Sequence, residues 1–375
     1  MLIGVDGNEA NVREKVGVSV YTLKHLIHFQ KKASKDLKFT IYLKKPPLND
    51  LPDETDYFRY KLVPCSFLWS QVFLPIELIK NKFSKDPIDV FFSPAHYAPR
   101  YTPAPCVLTI HDVAYVYYPE EYTKKDLYQL SSWTRYSLKK ASSIIAVSKT
   151  TKKDIVRFYQ IPEERINVIY NGFEKEAISV NSQIQLTDID INITRPYVLY
   201  VGTIQPRKNI TTLIRAFAVF NETHPDYKLV ITGKKGWLFD KIYNEARNLY
   251  LQNKIIFTGF INDKELVTLY KRAFCFVLPS LYEGFGIPVL EAMSFGCPVI
   301  SSFSSSLPEI GGEASLYFDP DNFTDLINKL TLLASDPKLR NELIRKGSDR
   351  IKQFSWDRCT ASTLKILISF GNTSK

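Results

Sequence analysis

The sequence predicts an α/β protein of two domains, each built on a parallel sheet. Short β-rich runs alternate with amphipathic helical stretches along the whole chain, a pattern typical of parallel α/β layers. The 375 residues exceed the size of most single hydrophobic cores. A polar stretch that lacks helical periodicity, residues 176–196, separates the runs into two series. We therefore expect two consecutive domains.

The strand-length runs divide as follows. The first series comprises LIGVDGNEA, FTIYL, DVFFSP, CVLTIHD, SIIAVS and INVIYNG. The second series comprises YVLYVGT, YKLVITG, IIFTGF, FCFVLPS and CPVISS. From these series we expect domains at residues 1–180 and 197–352, with a linker at 181–196 and a final amphipathic helix within 353–375.

Composition excludes several classes of protein. A hydrophobic content of 45% is sufficient for packed interiors and excludes a disordered chain. The first residues lack the features of a secretory signal, and no apolar run approaches the roughly 18 residues of a transmembrane helix. The five cysteines lie far apart, and neither they nor the five histidines show metal-ligand spacing. We therefore expect a cytoplasmic protein without a protein-built metal site.

One segment, PSLYEGFGIPVLEAMSFGCPVIS, carries most of the functional information. It predicts a strand, a glycine-bearing loop and a helix in that order. Such a loop leaves unpaired N–H groups at the helix N-terminus, which favours a phosphate, and Gly284 and Gly286 allow a ligand to approach closely. Glu283 and Glu291 can accept hydrogen bonds from sugar hydroxyls. An isolated pair of glutamates would be surface carboxylates, but this context favours a sugar nucleotide.

Two further loops follow predicted strands. Arg207 and Lys208 follow YVLYVGT, at the sheet edge where α/β proteins bind ligands. Two cations there can neutralise a diphosphate, although helix-start cations without a ligand are the alternative. His111 and Asp112 follow CVLTI. A histidine there can donate to a sugar hydroxyl or to the reaction centre, while Asp112 is expected to orient the loop or the imidazole.

Taken together, these segments resemble the retaining glycosyltransferases of family 4. The spacing of Glu283 and Glu291 resembles the E-x7-E signature of that family. Further matching segments are TIHDVAYVYYPEEYT, AVSKTTKKDIVRFYQIPEERINVIYNGFE, VGTIQPRKNITTLIRAF and LPEIGGEASLYFDP. The resemblance spans nearly the whole chain. It implies the GT-B fold, in which two Rossmann-like domains face each other across a cleft. The first domain, 1–180, would present the acceptor, the second, 197–352, would bind the nucleotide sugar, and a last helix would cross back to the first domain.

The resemblance also implies roles for individual residues. The implied donor-binding residues are Gly17, Arg207, Lys208, Glu283, Phe285, Gly286, Ile287 and Glu291. The implied catalytic residues are His111, Lys208 and Glu283. Glu291 would bind the ribose and Glu283 the hydroxyls of the donor sugar. Gly17 matches the first glycine of the family's N-terminal loop, whereas Ser19 and Val20 replace its second glycine and its arginine.

The function implied by the resemblance is retaining hexosyl transfer that needs no cofactor and no essential metal. The motif style favours mannose transfer from GDP-mannose to a glycan or polyprenyl-linked saccharide acceptor, as in synthesis of the O-antigen of lipopolysaccharide. UDP-glucose, UDP-N-acetylglucosamine and dTDP-rhamnose are alternative donors. A nucleotide-sugar epimerase and a non-catalytic sugar-nucleotide sensor are rival classes, and the full set of site residues argues against the sensor.

Charge leaves the question of a surface partner open. Residues 1–175 carry 26 Lys or Arg against 19 Asp or Glu, out of a net charge of +10. We expect no nucleic-acid partner, and the basic half would suit the inner face of an anionic cell membrane or a phosphorylated acceptor. Residues 66–85 combine aromatic and aliphatic side chains with three lysines. They predict either a membrane-surface segment or a core-facing helix, and we favour the core-facing helix.

Overall fold

The computed structural model describes residues 1–15, 17–65, 67–174, 193 and 196–371. The chain divides into two compact units, one formed by Met1–Gly172 with Ser355–Lys375 and the other by Phe173–Phe354. Most of the predicted linker, 181–196, lies outside the described residues.

The first unit is built on a seven-stranded parallel sheet in the order β3-β2-β1-β4-β5-β6-β7. Its strands are β1 (Leu2–Asp6), β2 (Lys38–Leu43), β3 (Phe58–Leu62), β4 (Val90–Ser93), β5 (Cys106–Ile110), β6 (Ser143–Ala146) and β7 (Ile166–Val168). The chain moves outward in one direction from β1 and in the other from β4. The topological switch point therefore lies between the carboxyl ends of β1 and β4, where doubly wound sheets bind ligands.

Helices cover both faces of this sheet. They are α1 (Gly17–Lys32), α2 (Leu74–Lys82), α3 (Ala114–Tyr117), α4 (Lys124–Lys140), α5 (Lys149–Tyr159) and the last helix, α13 (Trp356–Gly371). The last helix contributes Trp356, Leu364 and Leu367 to the same buried core as β1 and α1. The imidazole Nε2 of His25 on α1 lies 3.2 Å from the hydroxyl of Thr363 on this helix. The C-terminal helix is thus an integral part of the first unit.

The second unit repeats the plan with six parallel strands in the order β10-β9-β8-β11-β12-β13. Its strands are β8 (Tyr197–Val201), β9 (Lys228–Thr232), β10 (Ile255–Gly259), β11 (Cys275–Leu278), β12 (Val299–Ser302) and β13 (Ser315–Phe318). Its helices are α6 (Ile210–Thr223), α7 (Phe239–Asn248), α8 (Asp263–Arg272), α9 (Ile287–Ser294), α10 (Leu307–Gly311), α11 (Phe323–Ser335) and α12 (Pro337–Arg350). Here the switch point lies between β8 and β11.

The predicted α/β class with two parallel sheets is confirmed. Two of the observed strands were not predicted. Both β3 and β13 are edge strands. The sequence of β3, FRYKL, is largely exposed and polar, so it presents no apolar run. The sequence of β13, SLYF, is only four residues long. Edge strands bury one side at most, which removes the hydrophobic signal that identifies central strands.

The segment that begins at Phe67 is buried on one side and exposed on the other. A π-helical turn at Trp69–Phe73 leads into α2, and Trp69, Leu74 and Leu78 are fully buried, as expected of a core-facing helix. The opposite side is apolar too and lies in solvent. We call this exposed set the apolar face; its members are Phe67, Leu68, Val72, Ile76, Ile79 and Phe83.

Candidate active site

The loops at the switch point of the second unit bring together the charged residues expected there. Lys208 lies in a 3-10 turn after β8, and Glu283 lies in the loop after β11. The Lys208 Nζ lies 2.5 Å from Glu283 Oε1, and both side chains are more than four-fifths buried. Residues 75 positions apart in sequence therefore form one ion pair at the edge of the sheet.

Glu283 is held in its ionised form. Burial opposes the charge, but the nearby charges of Lys208 and Arg207 and the hydrogen bond from Lys208 outweigh it, so the pKa of Glu283 lies below its usual value. The Ser280 hydroxyl also donates to Oε1 over 2.7 Å. These bonds all reach Oε1 and fix the orientation of the carboxylate. Lys208, with three N–H donors, keeps donors for an anionic ligand.

A serine-rich loop after β12 holds the Glu283 loop in place. The amide of Glu283 donates to Ser305 Oγ over 2.8 Å, and Ser306 Oγ donates to the carbonyls of Glu283 and Phe285. The Ser304 hydroxyl donates to the carbonyl of Leu281. Sequence reasoning did not identify these serines. The run SSFSSS was visible, but a serine run is equally typical of an exposed turn.

The start of α9 offers backbone donors next to this ion pair. Gly286 precedes α9 with φ +101°, and a Cβ at this position would lie 2.7 Å from a methyl group of Leu307. The backbone conformation therefore favours glycine, and any Cβ would also require the Leu307 side chain to move. Within the described residues, the amides of Gly286 and Ile287 donate no hydrogen bond to protein. By contrast, the Phe285 ring is buried against Phe354, so any ligand contact from Phe285 would come from its backbone.

Glu291 has a different environment from Glu283. It lies in the second turn of α9, where its Oε2 accepts a 2.9 Å hydrogen bond from the buried hydroxyl of Tyr270 on α8. Burial raises the pKa of Glu291 to about 7 despite that hydrogen bond. Tyr270 was not identified from the sequence, because a tyrosine in an amphipathic helix is usually a core residue. The two glutamates of the signature thus differ in protonation near neutral pH.

Arg207 is tied to the neighbouring loop. Its guanidinium donates to the carbonyl of Tyr282 over 2.7 Å, and its own carbonyl accepts from the amide of Leu281 over 2.9 Å. Arg207 therefore joins the loops after β8 and β11. Its charge also contributes to the low pKa of Glu283.

His111 lies at the end of β5 in the first unit. It is 8% exposed, its ring meets Tyr21 edge to face, and its Nε2 lies 2.8 Å from the carbonyl oxygen of Pro94. Burial is the main cause that lowers the pKa of His111, to about 3, so the ring is neutral. A carbonyl partner requires the proton on Nε2, which leaves Nδ1 as an acceptor. In this arrangement the ring can accept a hydrogen bond from a sugar hydroxyl through Nδ1, and the contact of His111 with the donor sugar stays a prediction.

Asp112 and Gly17 are the other residues of the first unit that the sequence pointed to. Asp112 accepts a 3.0 Å hydrogen bond from the amide of Ala114 and so orients its own loop, as predicted. Gly17 opens α1 with φ +29°, and a Cβ at Gly17 would meet no atom within 4 Å. The backbone there is accessible to a ligand. Donor binding by Gly17 stays a prediction.

The described residues contain neither a cluster of metal ligands nor a membrane-spanning helix. No three or more His, Cys, Asp or Glu side chains among them are grouped as metal ligands. No helix within the described ranges is long and apolar enough to span a bilayer.

Comparison with known proteins identifies the family. Residues 17–177 match the family described as Glycosyltransferase Family 4, and residues 182–350 match the family described as Glycosyl transferases group 1. The O-antigen chain mannosyltransferase B of Escherichia coli is 32% identical over 284 residues, which cover 73% of each protein. This chain belongs to the family 4 glycosyltransferases.

Two further similarities agree with this assignment. The O-antigen chain mannosyltransferase RfbU of Salmonella typhimurium is 28% identical over 250 residues, covering 66% of this glycosyltransferase and 67% of the relative. The crystal structure of Anabaena HepE in complex with UDP and glucose superposes with a TM-score of 0.74 at 17% identity, covering 98% and 99% of the two chains. At that identity the superposition shows a shared fold.

Proposed function

We propose that this glycosyltransferase transfers mannose from GDP-mannose to a glycan or polyprenyl-linked acceptor during surface polysaccharide synthesis. The observation that carries the proposal is the buried pair of Lys208 and Glu283 at the switch point between β8 and β11. A cation and two backbone donors at the start of α9 suit a diphosphate, and a fixed carboxylate suits sugar hydroxyls.

Lys208 and Glu283 have different roles in the proposed reaction. When the bond between the anomeric carbon and the diphosphate breaks, the diphosphate leaves with the bonding electrons and gains negative charge. Lys208 and the amides of Gly286 and Ile287 stabilise that charge. Glu283 orients the donor sugar through its hydroxyls, and Glu291 binds the ribose. The acceptor hydroxyl attacks the anomeric carbon, and its proton passes to an oxygen of the departing diphosphate.

The donor assignment is supported by the names of two relatives. Both the Escherichia coli and the Salmonella protein are named O-antigen chain mannosyltransferases. HepE was crystallised with UDP and glucose, which keeps UDP-glucose as the second candidate. A thermal-shift panel of GDP-mannose, UDP-glucose, UDP-N-acetylglucosamine and dTDP-rhamnose distinguishes them. A donor at about 100 times its Kd adds roughly 2.7 kcal/mol to the free energy of unfolding. Equal responses to all four donors would contradict the assignment.

Retention of configuration and independence from metal are further parts of the proposal. They are supported by family membership and by Lys208, a cation that can neutralise a diphosphate in place of a metal. The anomeric configuration of the product, measured by NMR on the first turnover, tests retention. Transfer should persist at full rate in excess EDTA. An inverted product, or a product released without any acceptor, would contradict glycosyl transfer with retention.

A peripheral membrane contact through the apolar face completes the proposal. Phe67 and Phe83 are 65% and 81% exposed, and the exposed Lys80 and Lys82 lie in the last turn of α2. Exposed aromatic side chains beside lysines suit insertion into an anionic bilayer surface. Co-sedimentation with phosphatidylglycerol vesicles should fall in Phe83→Ser and at high salt. The control Tyr250→Ser removes an equally exposed aromatic residue from the second unit and should bind normally.

A further inference from the structure

Lys208 is followed directly by a residue whose backbone is strained. Asn209 has φ +55°, in the left-handed region that glycine adopts most readily. It ends the 3-10 turn Pro206–Lys208 and precedes α6, and its amide donates to the carbonyl of Pro206 over 2.8 Å. The direction in which the chain leaves Lys208 is therefore set at a position where a side chain is costly for the backbone.

Helix capping does not explain why this residue is an asparagine. A capping side chain normally accepts a hydrogen bond from a backbone amide of the first helical turn, and its own backbone is extended. Asn209 is left-handed, and its side chain makes no such bond at the start of α6. Glycine would adopt this backbone conformation at lower cost. The reason for an asparagine therefore lies in what its side chain contacts.

The side chain of Asn209 makes two other hydrogen bonds. Its Nδ2 donates over 2.9 Å to the carbonyl of Pro320, which is 111 positions away in the sequence. Its Oδ1 accepts over 2.7 Å from the hydroxyl of Thr212 on α6. Pro320 follows β13, an edge strand of the second sheet. Asn209 therefore ties the loop after β8 to the loop after β13.

Lys208 thus lies between two anchored residues. On one side, Arg207 donates to the carbonyl of Tyr282 in the loop after β11. On the other side, Asn209 is tied to the loop after β13. The Lys208 Nζ extends from this held segment to Glu283 Oε1, 2.5 Å away. A lysine ammonium is carried on a flexible four-carbon stem, so its position depends on how firmly the backbone below it is held.

A second strained residue holds the other partner of the ion pair. Ser305 has φ +47°, and its Oγ accepts a 2.8 Å hydrogen bond from the amide of Glu283. Lys208 and Glu283 are thus each held by a non-glycine residue in the left-handed region. Such strain persists only where the surrounding structure fixes it, and it concentrates at functional sites.

We propose that Asn209 is a positioning residue of the transfer reaction, which holds the backbone of Lys208 so that its ammonium meets the diphosphate of the donor. The inference rests on the proposed function, because it requires Lys208 to bind a diphosphate. It goes beyond that function by giving a role to the tie between Asn209 and Pro320, which acts on the substrate only through Lys208.

Two substitutions separate the side chain of Asn209 from its backbone conformation. Asn209→Gly adopts φ +55° without strain but loses both side-chain hydrogen bonds, whereas Asn209→Ala loses the same bonds and keeps the strain. If the residue served the backbone alone, glycine would replace it without loss of ligand affinity. A positioning residue loses affinity in both variants, although Asn209→Gly should have the higher Tm of the two.

Calorimetric titration of the full chain with GDP, UDP and dTDP measures the affinity of each variant. For the diphosphate that binds wild type most tightly, Asn209→Gly and Asn209→Ala should each weaken binding by about fivefold or more. In the Lys208→Ala background the same substitutions should change affinity by less than about twofold, because the ammonium that they position is gone. Gln160→Gly is the matched control, since Gln160 has φ +56° in the first unit, and it should bind like wild type.

The outcomes separate this inference from the proposed function. If no diphosphate binds wild type, or if Lys208→Ala binds it as tightly as wild type, the proposed function fails and the inference with it. If Lys208→Ala weakens binding while Asn209→Gly binds like wild type, the positioning role is overturned and the proposed function stands. An equal loss from Asn209→Gly with and without Lys208 would also overturn it. Thermal unfolding checks that each variant is folded, and Asn209→Gly decides the test if Asn209→Ala does not fold.

Discussion

The two sheets have the same kind of switch point but different chemistry at it. In the second unit, two cations, Arg207 and Lys208, stand beside the carboxylate of Glu283, and two backbone amides remain to donate. In the first unit, Asp6 and Glu9 stand beside aromatic rings around a cavity. The shared topology fixes where ligands bind, while the loop residues decide which ligand is taken. A cationic, donor-rich edge suits a diphosphate, and an acidic, aromatic edge disfavours one.

The largest effect should come from Lys208. Lys208→Ala removes the cation from the diphosphate and leaves Glu283 without its main partner, so kcat/KM should fall about 100-fold, or roughly 2.7 kcal/mol. Steady-state kinetics with varied donor measure it. Lys241→Ala, which removes an exposed lysine of α7, is the matched control and should keep wild-type kinetics. A loss below threefold in Lys208→Ala would place the diphosphate elsewhere.

Glu291 should make donor binding depend on pH. Burial raises the pKa of Glu291 to about 7, and a ribose hydroxyl favours the ionised carboxylate. Kcat/KM for the donor should therefore fall up to about tenfold between pH 8 and pH 6, because a carboxyl group with a pKa of about 7 is mostly ionised at pH 8 and mostly protonated at pH 6. Glu291→Gln should show a low, flat profile over the same range. A profile in Glu291→Gln as steep as that of wild type would assign the titration to another group.

The two glutamates should affect stability in opposite directions. The pKa of Glu283 is depressed, so its contribution is present above its unfolded pKa near 4.5 and is lost as the pH falls. The pKa of Glu291 is raised, so its contribution is present below 4.5 and is lost as the pH rises through about 7.

Melting curves of two variants check these signs. At pH 8, Glu283→Gln should lower Tm and Glu291→Gln should raise it, each by about 2–4 °C per kcal/mol. At pH 4 both differences should shrink. Shifts of the same sign at pH 8 would contradict the two environments described.

The smallest expected effect is the difference in stability lost when one glycine in each unit is replaced by alanine. Gly286→Ala places a Cβ 2.7 Å from Leu307 at φ +101°, so it should cost on the order of 1–3 kcal/mol. Gly17→Ala adds a Cβ in open space at φ +29°, so it bears backbone strain alone and should cost about 1 kcal/mol, the low end of that range. Denaturant unfolding measures both changes. Equal losses would indicate that the contact with Leu307 is relieved by movement of its side chain.

The sequence predicted the site of the second unit but not the cavity of the first. Lys208, Glu283 and Glu291 occur in motifs whose spacing is visible without coordinates. Asp6, Trp69 and the loop after β4 come from three separated stretches, and only the order of strands brings them together. Motif reading is local, so a cavity assembled from residues 6, 97 and 133 leaves no periodic signal.

The same reason explains the partners that were missed. The Ser305 hydroxyl holds the Glu283 loop and the Tyr270 hydroxyl holds Glu291. Serine is common in ordinary turns and tyrosine in ordinary cores. The roles of Ser305 and Tyr270 therefore become visible only from their hydrogen-bond distances to Glu283 and Glu291. The hydrogen bond of His111 is of the same kind, because its direction depends on the Pro94 carbonyl, which is 17 residues away in sequence.

The most direct test is calorimetric titration of the nucleoside diphosphate that gives the largest thermal shift. Wild type, Lys208→Ala and Asp6→Asn are compared under one buffer condition. The account predicts at least tenfold weaker binding in Lys208→Ala and wild-type affinity in Asp6→Asn. Wild-type affinity in Lys208→Ala together with weakened binding in Asp6→Asn would contradict it.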